Sequence, residues 1–455
     1  MADRSSNNYD LTSGSILQKL LLVALPIMGT QLMQMTYNLT DMFWLGRVGS
    51  DAVAASGTAG MYMWLSGALM MIGRMGSEIG VSQSLGRSDT ENARIYSQNA
   101  MLLAAGLGIL YTVGMIAFRR PLVGFFNIQE ANVRIDTENY LAIAALGIPF
   151  TYLSAVITGT FNGSGNSRTP FLANTAGLIC NIILDPLMIF TLDMGIQGAA
   201  LATILSQGVV CLLMIVALLK DKNRPFTEYR FFVRPSAPHC KQILRWSFPI
   251  AIESMLFTFL SMINSRFVAA FGANAMAVSR VGSQIESLSW LIGGGFGTAL
   301  TAYVGQNFGA GKHDRIAQGF KISSIVMAIW GIMITLLLFF AGGALFSIFL
   351  PDPDLVKMGA VYLQFLAMCQ LPMCLESVSA GAFKGAGRTL EPSIISVVSN
   401  GIRVPLCYFL SLTSMGLNGI WLGICLGAVL RGTWSYLWYI LDARKKALPQ
   451  EAAAQ

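Results

Sequence analysis

The chain has 455 residues, of which 54% are hydrophobic and 12% charged, and its formal net charge is +7. Soluble domains carry about 25% charged residues, and a mean hydropathy of +0.59 is more than a water-facing surface tolerates; a soluble enzyme is excluded and a membrane protein implied. The basic excess falls in loops on one side of the apolar stretches, which argues against nucleic acid as a partner.

Residues 1–16 are polar, without the short apolar core and small-residue cleavage site of a removable signal, and are expected to be a cytoplasmic segment. Apolar stretches long enough to cross a bilayer follow at 17–45, 53–85, 93–118, 137–161, 169–191 and 196–219. The hydrophilic segment 220–240 interrupts the series at mid-chain. A second set then covers 241–271, 277–307, 320–349, 356–383, 391–413 and 417–442, ahead of a polar tail at 443–455. The expected architecture is all-α and polytopic, with twelve transmembrane helices in an N-lobe (17–219) and a C-lobe (241–442) joined by a cytoplasmic linker.

Basic residues choose the side. Arg87, Arg94, Arg168, Lys220, Lys222, Arg224, Lys312, Arg315, Lys384, Arg388 and Arg444 fall in alternate connections, against little beyond Arg47, Arg119 and Arg120 in the others. The positive-inside rule puts both termini in the cytoplasm of a multi-pass protein of the cytoplasmic (inner) membrane.

The halves repeat. Pro26-Ile27 and Pro249-Ile250 are 223 positions apart, as are Gln83-x-x-Gly86 and Gln306-x-x-Gly309. Gly159, Gly163 and Gly165 match Gly381, Gly385 and Gly387 at 222. An offset of six spans preserves topology, so the lobes are related by a pseudo-twofold along the membrane normal. Transporters place substrate between such repeats and alternate access around it.

Ionisable groups inside apolar spans are costly and mark function. Asp41 lies late in the first span and Asp185 in the fifth, with Asn181 one turn before it on the same face. The second half answers Asp41 with Asn264 and Asp185-Pro186 with Val404-Pro405, so the acids are not a requirement of the repeated fold. They are candidates for a proton or Na⁺ site. Pro26, within the first span, removes a helical hydrogen bond and is a candidate hinge. Met33, Gln34 and Tyr37 lie close to Asp41 in sequence and are candidates for drug contact. Glu253, Glu286 and Glu376 are candidate cavity acids suited to cationic substrates, with Arg266, Arg280 and Arg403 able to neutralise them.

Enzyme chemistry is not expected. The two histidines, His239 and His313, fall in loops, and neither a G-x-S-x-G nor a P-loop motif occurs. The seven cysteines form no C-x-x-C pair and are read as reduced.

These motifs, in this order, resemble the multidrug and toxic compound extrusion (MATE) family. The resemblance spans about 15–442 and rests on Leu25-Pro26-Ile27, Tyr37-Asn38-x-x-Asp41, Asn162-Gly163-x-Gly165, Asn181-x-x-x-Asp185-Pro186 and Gly198-Ala199-Ala200-x-Ala202-Thr203, then Ile285-Glu286-Ser287, Gly305-Gln306-Asn307, Lys384-Gly385-x-Gly387 and Arg403-x-Pro405. It implies two six-helix lobes around a V-shaped cavity. It also implies export of organic cations in exchange for H⁺ or Na⁺, with no cofactor and no zinc or other resident metal. Carried over residue by residue, the family's N-lobe cation site falls on Asp41, Asn181, Asp185 and Thr203. Tyr37 and Asn162 match positions near the N-lobe cavity, and Pro26 matches the bending first helix. One departure is that Phe257 stands where some branches carry a seventh-span carboxylate; Glu253 lies one turn earlier, and Glu376 is also about one turn out of register. The pattern is therefore closer to the DinF-like and archaeal branch. Implied partners are membrane lipids and small-molecule drugs or toxic organic cations, handled by a functional monomer. The alternative within the superfamily is a lipid-linked precursor flippase or an exporter of another metabolite.

Overall fold

A backbone embedded in lipid must satisfy its own hydrogen bonds, and every apolar stretch forms helix. The structure, a computed structural model, describes residues 9–453 except 127, 129, 221–224, 227, 232, 350 and 351, and not the side chains of 50 and 444–453. Residues 1–8 of the expected N-terminal segment, parts of the linker and the last two residues of the tail thus lie outside the described residues.

In chain order the helices are α1 (Ile16–Val48), α2 (Ser50–Gly86), α3 (Thr90–Ala117), the short α4 (Arg119–Gly124), α5 (Ala131–Ala145), α6 (Ile148–Gly163), α7 (Arg168–Pro186), α8 (Gly195–Lys220), α9 (Ala237–Ala269), α10 (Ala273–Gly309), α11 (His313–Ser347), α12 (Pro353–Gly385), α13 (Leu390–Ser411) and α14 (Leu417–Ala453). A π-helical turn, Leu187–Thr191, continues α7. No strand occurs among the described residues.

Among the described residues, nine of these helices are long and apolar enough to span on their own, α7 together with its π turn. A tenth span is broken. α5 and α6 meet at 41°, where Pro149 stands at the start of α6 and limits the helical conformation of the residue before it. This pair replaces the single stretch expected at 137–161. α2 and α10, each 37 residues long, complete the twelve; serine, glycine and charged residues punctuate them and lower their hydropathy. They start and end 223 positions apart, so the repeat seen in sequence is a repeat of helices.

The chain forms two compact units. One comprises residues 1–14, 21–251 and 305–311, the other 15–20, 252–304 and 312–455. In the first, Tyr152, Val156 and Phe161 of α6 are buried against α2, α3 and α8. Small residues set the approach: a Cβ at Gly159 would overlap the Arg74 carbonyl of α2. The linker packs on this unit. Phe226 is buried in its core, Gln98 Nε2 donates to the Arg230 carbonyl at 2.8 Å, and Ser236 N donates to Asn99 Oδ1 at 2.8 Å. Leu11 is fully buried, and its amide donates to Gln306 Oε1 at 3.0 Å.

The second unit is built around Tyr362, Leu366 and Trp421. Gly381 of α12 repeats the role of Gly159, since its Cβ would overlap the Gly297 carbonyl of α10. Helices in lipid lack a hydrophobic drive toward one another, and such small-residue contacts provide the close packing instead.

Candidate functional site

Three helices of the first unit bring five polar side chains together. α7 carries Asn181 and Asp185 one turn apart and fully buried. Asn181 Nδ2 donates to Asp185 Oδ1 at 2.9 Å. Pro186 follows, cannot donate, and ends the α-helix in the π turn Leu187–Thr191; such turns re-pair the backbone and recur at functional sites. α1 contributes Tyr37 and Asp41, and α8 contributes Thr203. Asp41 and Asp185 lie within electrostatic reach of each other, and Tyr37 within reach of both.

Five buried atoms of this cluster have no hydrogen-bond partner: Tyr37 Oη, Asp41 Oδ1, Asn181 Oδ1, Asp185 Oδ2 and Thr203 Oγ1. Buried polar groups are paired as a rule. Four of the five belong to the residues expected to hold the cation, and all are oxygens, the donors that a proton or a hard monovalent cation takes.

Beside the cluster, in the same unit, is a cavity of about 320 Å³. Met33, Gln34, Tyr37 and Asn162, the expected substrate contacts, all line it. Tyr37 is the link, since it belongs both to the cavity wall and to the acid cluster. Neither Asp41 nor Asp185 borders the cavity, whose only charged lining residue among the described residues is Arg74. Sequence reasoning passed over Arg74, Ser154 and Ser206 as cavity residues. Arg74 Nε, Ser154 Oγ, Ser206 Oγ and Asn162 Oδ1 are buried there without partners, so the wall offers polar groups among apolar ones, as ligand cavities do.

Pro26 lies inside α1, which continues as helix through it. The candidate acids of the second half are scattered. Glu253 accepts from Ser393 Oγ at 2.9 Å. Glu376 is paired with Arg431 at 2.8 Å. Only Glu286 lines a cavity, in the second unit, where its Oε1 accepts from Trp290 Nε1 at 3.1 Å and Gln370 Nε2 at 3.3 Å.

A family model described as MatE matches residues 26–187 and again 249–409, one copy in each half. The chain is 27% identical over 431 residues to "Probable multidrug resistance protein NorM" of Thermotoga maritima, which covers 93% of this chain and 92% of that protein. It is 26% identical over 434 residues to "Probable multidrug resistance protein YpnP" of Bacillus subtilis, covering 95% and 96%. In fold it is similar to a crystal structure of MATE in the bent conformation, with a TM-score of 0.91 at 21% identity over 98% of this chain and 99% of that one.

Proposed function

Because the chain belongs to the MatE family of membrane transporters, we propose that it is a multidrug exporter, moving amphipathic and mostly cationic organic compounds outward in exchange for H⁺ or Na⁺. It is a transporter and not an enzyme. Its relatives named for multidrug resistance support the substrate class. The observation that carries the coupling is the set of five unpartnered buried oxygens around Asp41 and Asp185, next to a cavity they share through Tyr37.

In this reading the ion enters from outside and is taken by Asp41, Asn181, Asp185 and Thr203. Occupancy by one H⁺ or Na⁺ cancels one negative charge of the acid pair, so its attraction for a cationic drug is weakened. α1 then shifts about Pro26 and moves Tyr37, Gln34 and Met33 against the bound compound. Alternating access completes the exchange, with both termini cytoplasmic, a placement that the basic loops support. Each charge moving down the field supplies about 2.3 kcal/mol per 100 mV, equivalent to roughly a fiftyfold gradient of a neutral substrate; one-for-one exchange against a monovalent drug cation cancels this electrical part and draws on the ion's concentration gradient alone. Two lobes in one chain make a monomer sufficient.

The test is ethidium efflux from cells lacking their own exporters, with Na⁺ and pH gradients imposed in turn. Wild type is expected to export under one gradient, which names the ion, and Asp41→Asn and Asp185→Asn to fall to background at matched expression. Wild-type rates in both variants would overturn the site.

A further inference from the structure

The second unit holds the repeat's counterpart of the acid cluster, with its charge inverted. Asp41 corresponds to Asn264, Asn181 to Asn400, Asp185 to Val404 and Thr203 to Ile424, so both acids are gone. One residue before Val404 stands Arg403. It lines a cavity of about 550 Å³ within this unit together with Asn264, Asn400, Phe257, Trp290, Arg431 and Glu286.

Arg403 is only 8% exposed, and its partners are neutral. Nη2 donates to Ser261 Oγ at 3.2 Å. The Asn264 amide, with its oxygen turned to the guanidinium, accepts from Nε at 3.0 Å and Nη2 at 3.3 Å. No carboxylate pairs with Arg403 among the described residues. Arg431, by contrast, is committed to Glu376. Glu286, in the same cavity, acts on Arg403 electrostatically without bonding to it; a buried guanidinium without a salt-bridge partner is costly, and its planar fork matches a carboxylate. The rings beside it are aromatic: the Arg403 guanidinium is 5.6 Å from the Phe257 ring centre, and that of Arg431 is 5.7 Å from Trp290.

We propose that this cavity is a binding site for an aromatic monocarboxylate, with its carboxylate on Arg403 and its ring against Phe257 and Trp290. Glu286 shares the cavity and disfavours a second acid group. The site stands apart from the acid cluster of the first unit, and a binding experiment tests it without transport.

The probe is 2-naphthoate, titrated by calorimetry into the purified full-length protein in nanodiscs of zwitterionic lipid. Its neutral isostere 2-naphthamide and the di-acid 2,6-naphthalenedicarboxylate serve as comparisons. Saturable naphthoate binding is expected, with both comparison compounds weaker by about tenfold or more, the scale of a lost hydrogen bond to a charged group. Arg403→Gln should weaken naphthoate by a similar factor, Arg403→Lys by less, and Asp185→Asn should leave it unchanged. Equal binding of naphthoate and naphthamide to wild type would overturn the proposal, whether or not the Arg403 variants fold. So would undiminished binding to Arg403→Gln, or loss of binding in Asp185→Asn, which would place the ligand in the first unit. Failure of efflux or ion coupling would leave these binding results standing and would count against the transport reading alone.

Discussion

Ser167 Oγ donates to the carbonyl of Val23 at 2.7 Å and reaches that of Leu22 at 3.5 Å. Pro26 has no N–H, so the Leu22 carbonyl four residues earlier has lost its helical donor. The buried Ser167 hydroxyl, at the start of α7, bonds the next carbonyl along, that of Val23, and lies near the Leu22 oxygen. It ties α1 at its proline to the helix that carries Asn181 and Asp185.

Ser167→Ala is therefore expected to remove the donor to the buried Val23 carbonyl, at about 1–3 kcal/mol. The melting temperature should fall by several degrees and the efflux rate should change. Ser167→Thr keeps the hydroxyl and should restore both. A thermal melt and an efflux trace on the three proteins decide it; identical behaviour of the alanine variant would remove Ser167 from the hinge.

Asn181→Ala deletes the donor to Asp185 and one of the unpartnered oxygens. A hydrogen bond to a charged group is worth about 1.5–3 kcal/mol; for H⁺, losing this donor to the Asp185 carboxylate should favour its protonated form and lower the half-saturating H⁺ concentration roughly ten- to hundredfold, whereas for Na⁺ the lost ligand oxygen should raise half-saturation. The maximal rate at saturating ion should change far less. Ion titration of efflux separates the two; an unshifted half-saturation would mean that Asn181 is only a packing residue.

The repeated glycine contacts give a paired expectation. Gly159→Val and Gly381→Val each drive a side chain into a facing backbone carbonyl, and overpacking of this kind costs about 1–3 kcal/mol or more. Both should melt lower in detergent than wild type. Gly106, whose Cβ would meet nothing within 4 Å, serves as the control, and Gly106→Ala should be neutral or slightly stabilising.

The linker is pinned by Asn99, whose Oδ1 receives the amide of Ser236. Asn99→Ala should loosen the linker locally without unfolding the unit. Limited trypsin digestion should then cut between 220 and 240 several times faster while the global melt barely moves. Unchanged cleavage would show that Phe226 and Tyr229 hold the linker without Asn99.

Much of this was legible because lipid leaves the chain few choices. Apolar length marked the helices, and a nearly constant offset marked the repeat, which the family model then matched twice. Asp41, Asn181 and Asp185 stood out because acids in apolar spans need a reason. What stayed hidden depends on partners far along the chain. Glu376 is a candidate cavity acid from sequence, with Arg266, Arg280 or Arg403 as possible neutralisers; its partner is Arg431, 55 positions on. Ser167 carries no signal in the sequence, since its acceptor lies 144 positions away. Leu11 sat in a segment that looked merely polar, yet it is fully buried. Arg403 is able, from sequence, to neutralise the cavity acids; it acts on Glu286 electrostatically, while its hydrogen bonds go to an amide and a hydroxyl.

The central claim is that Asp41 and Asp185 couple an ion to the export of substrate. The most direct test is ion counter-movement in proteoliposomes loaded with ethidium, followed by ²²Na⁺ entry and by a pH-sensitive dye inside. Ethidium release by the wild-type protein should be accompanied by inward movement of one of the two ions, and both Asp41→Asn and Asp185→Asn should abolish that movement. Ethidium release without movement of either ion, or counter-movement undiminished in both variants, would contradict the account.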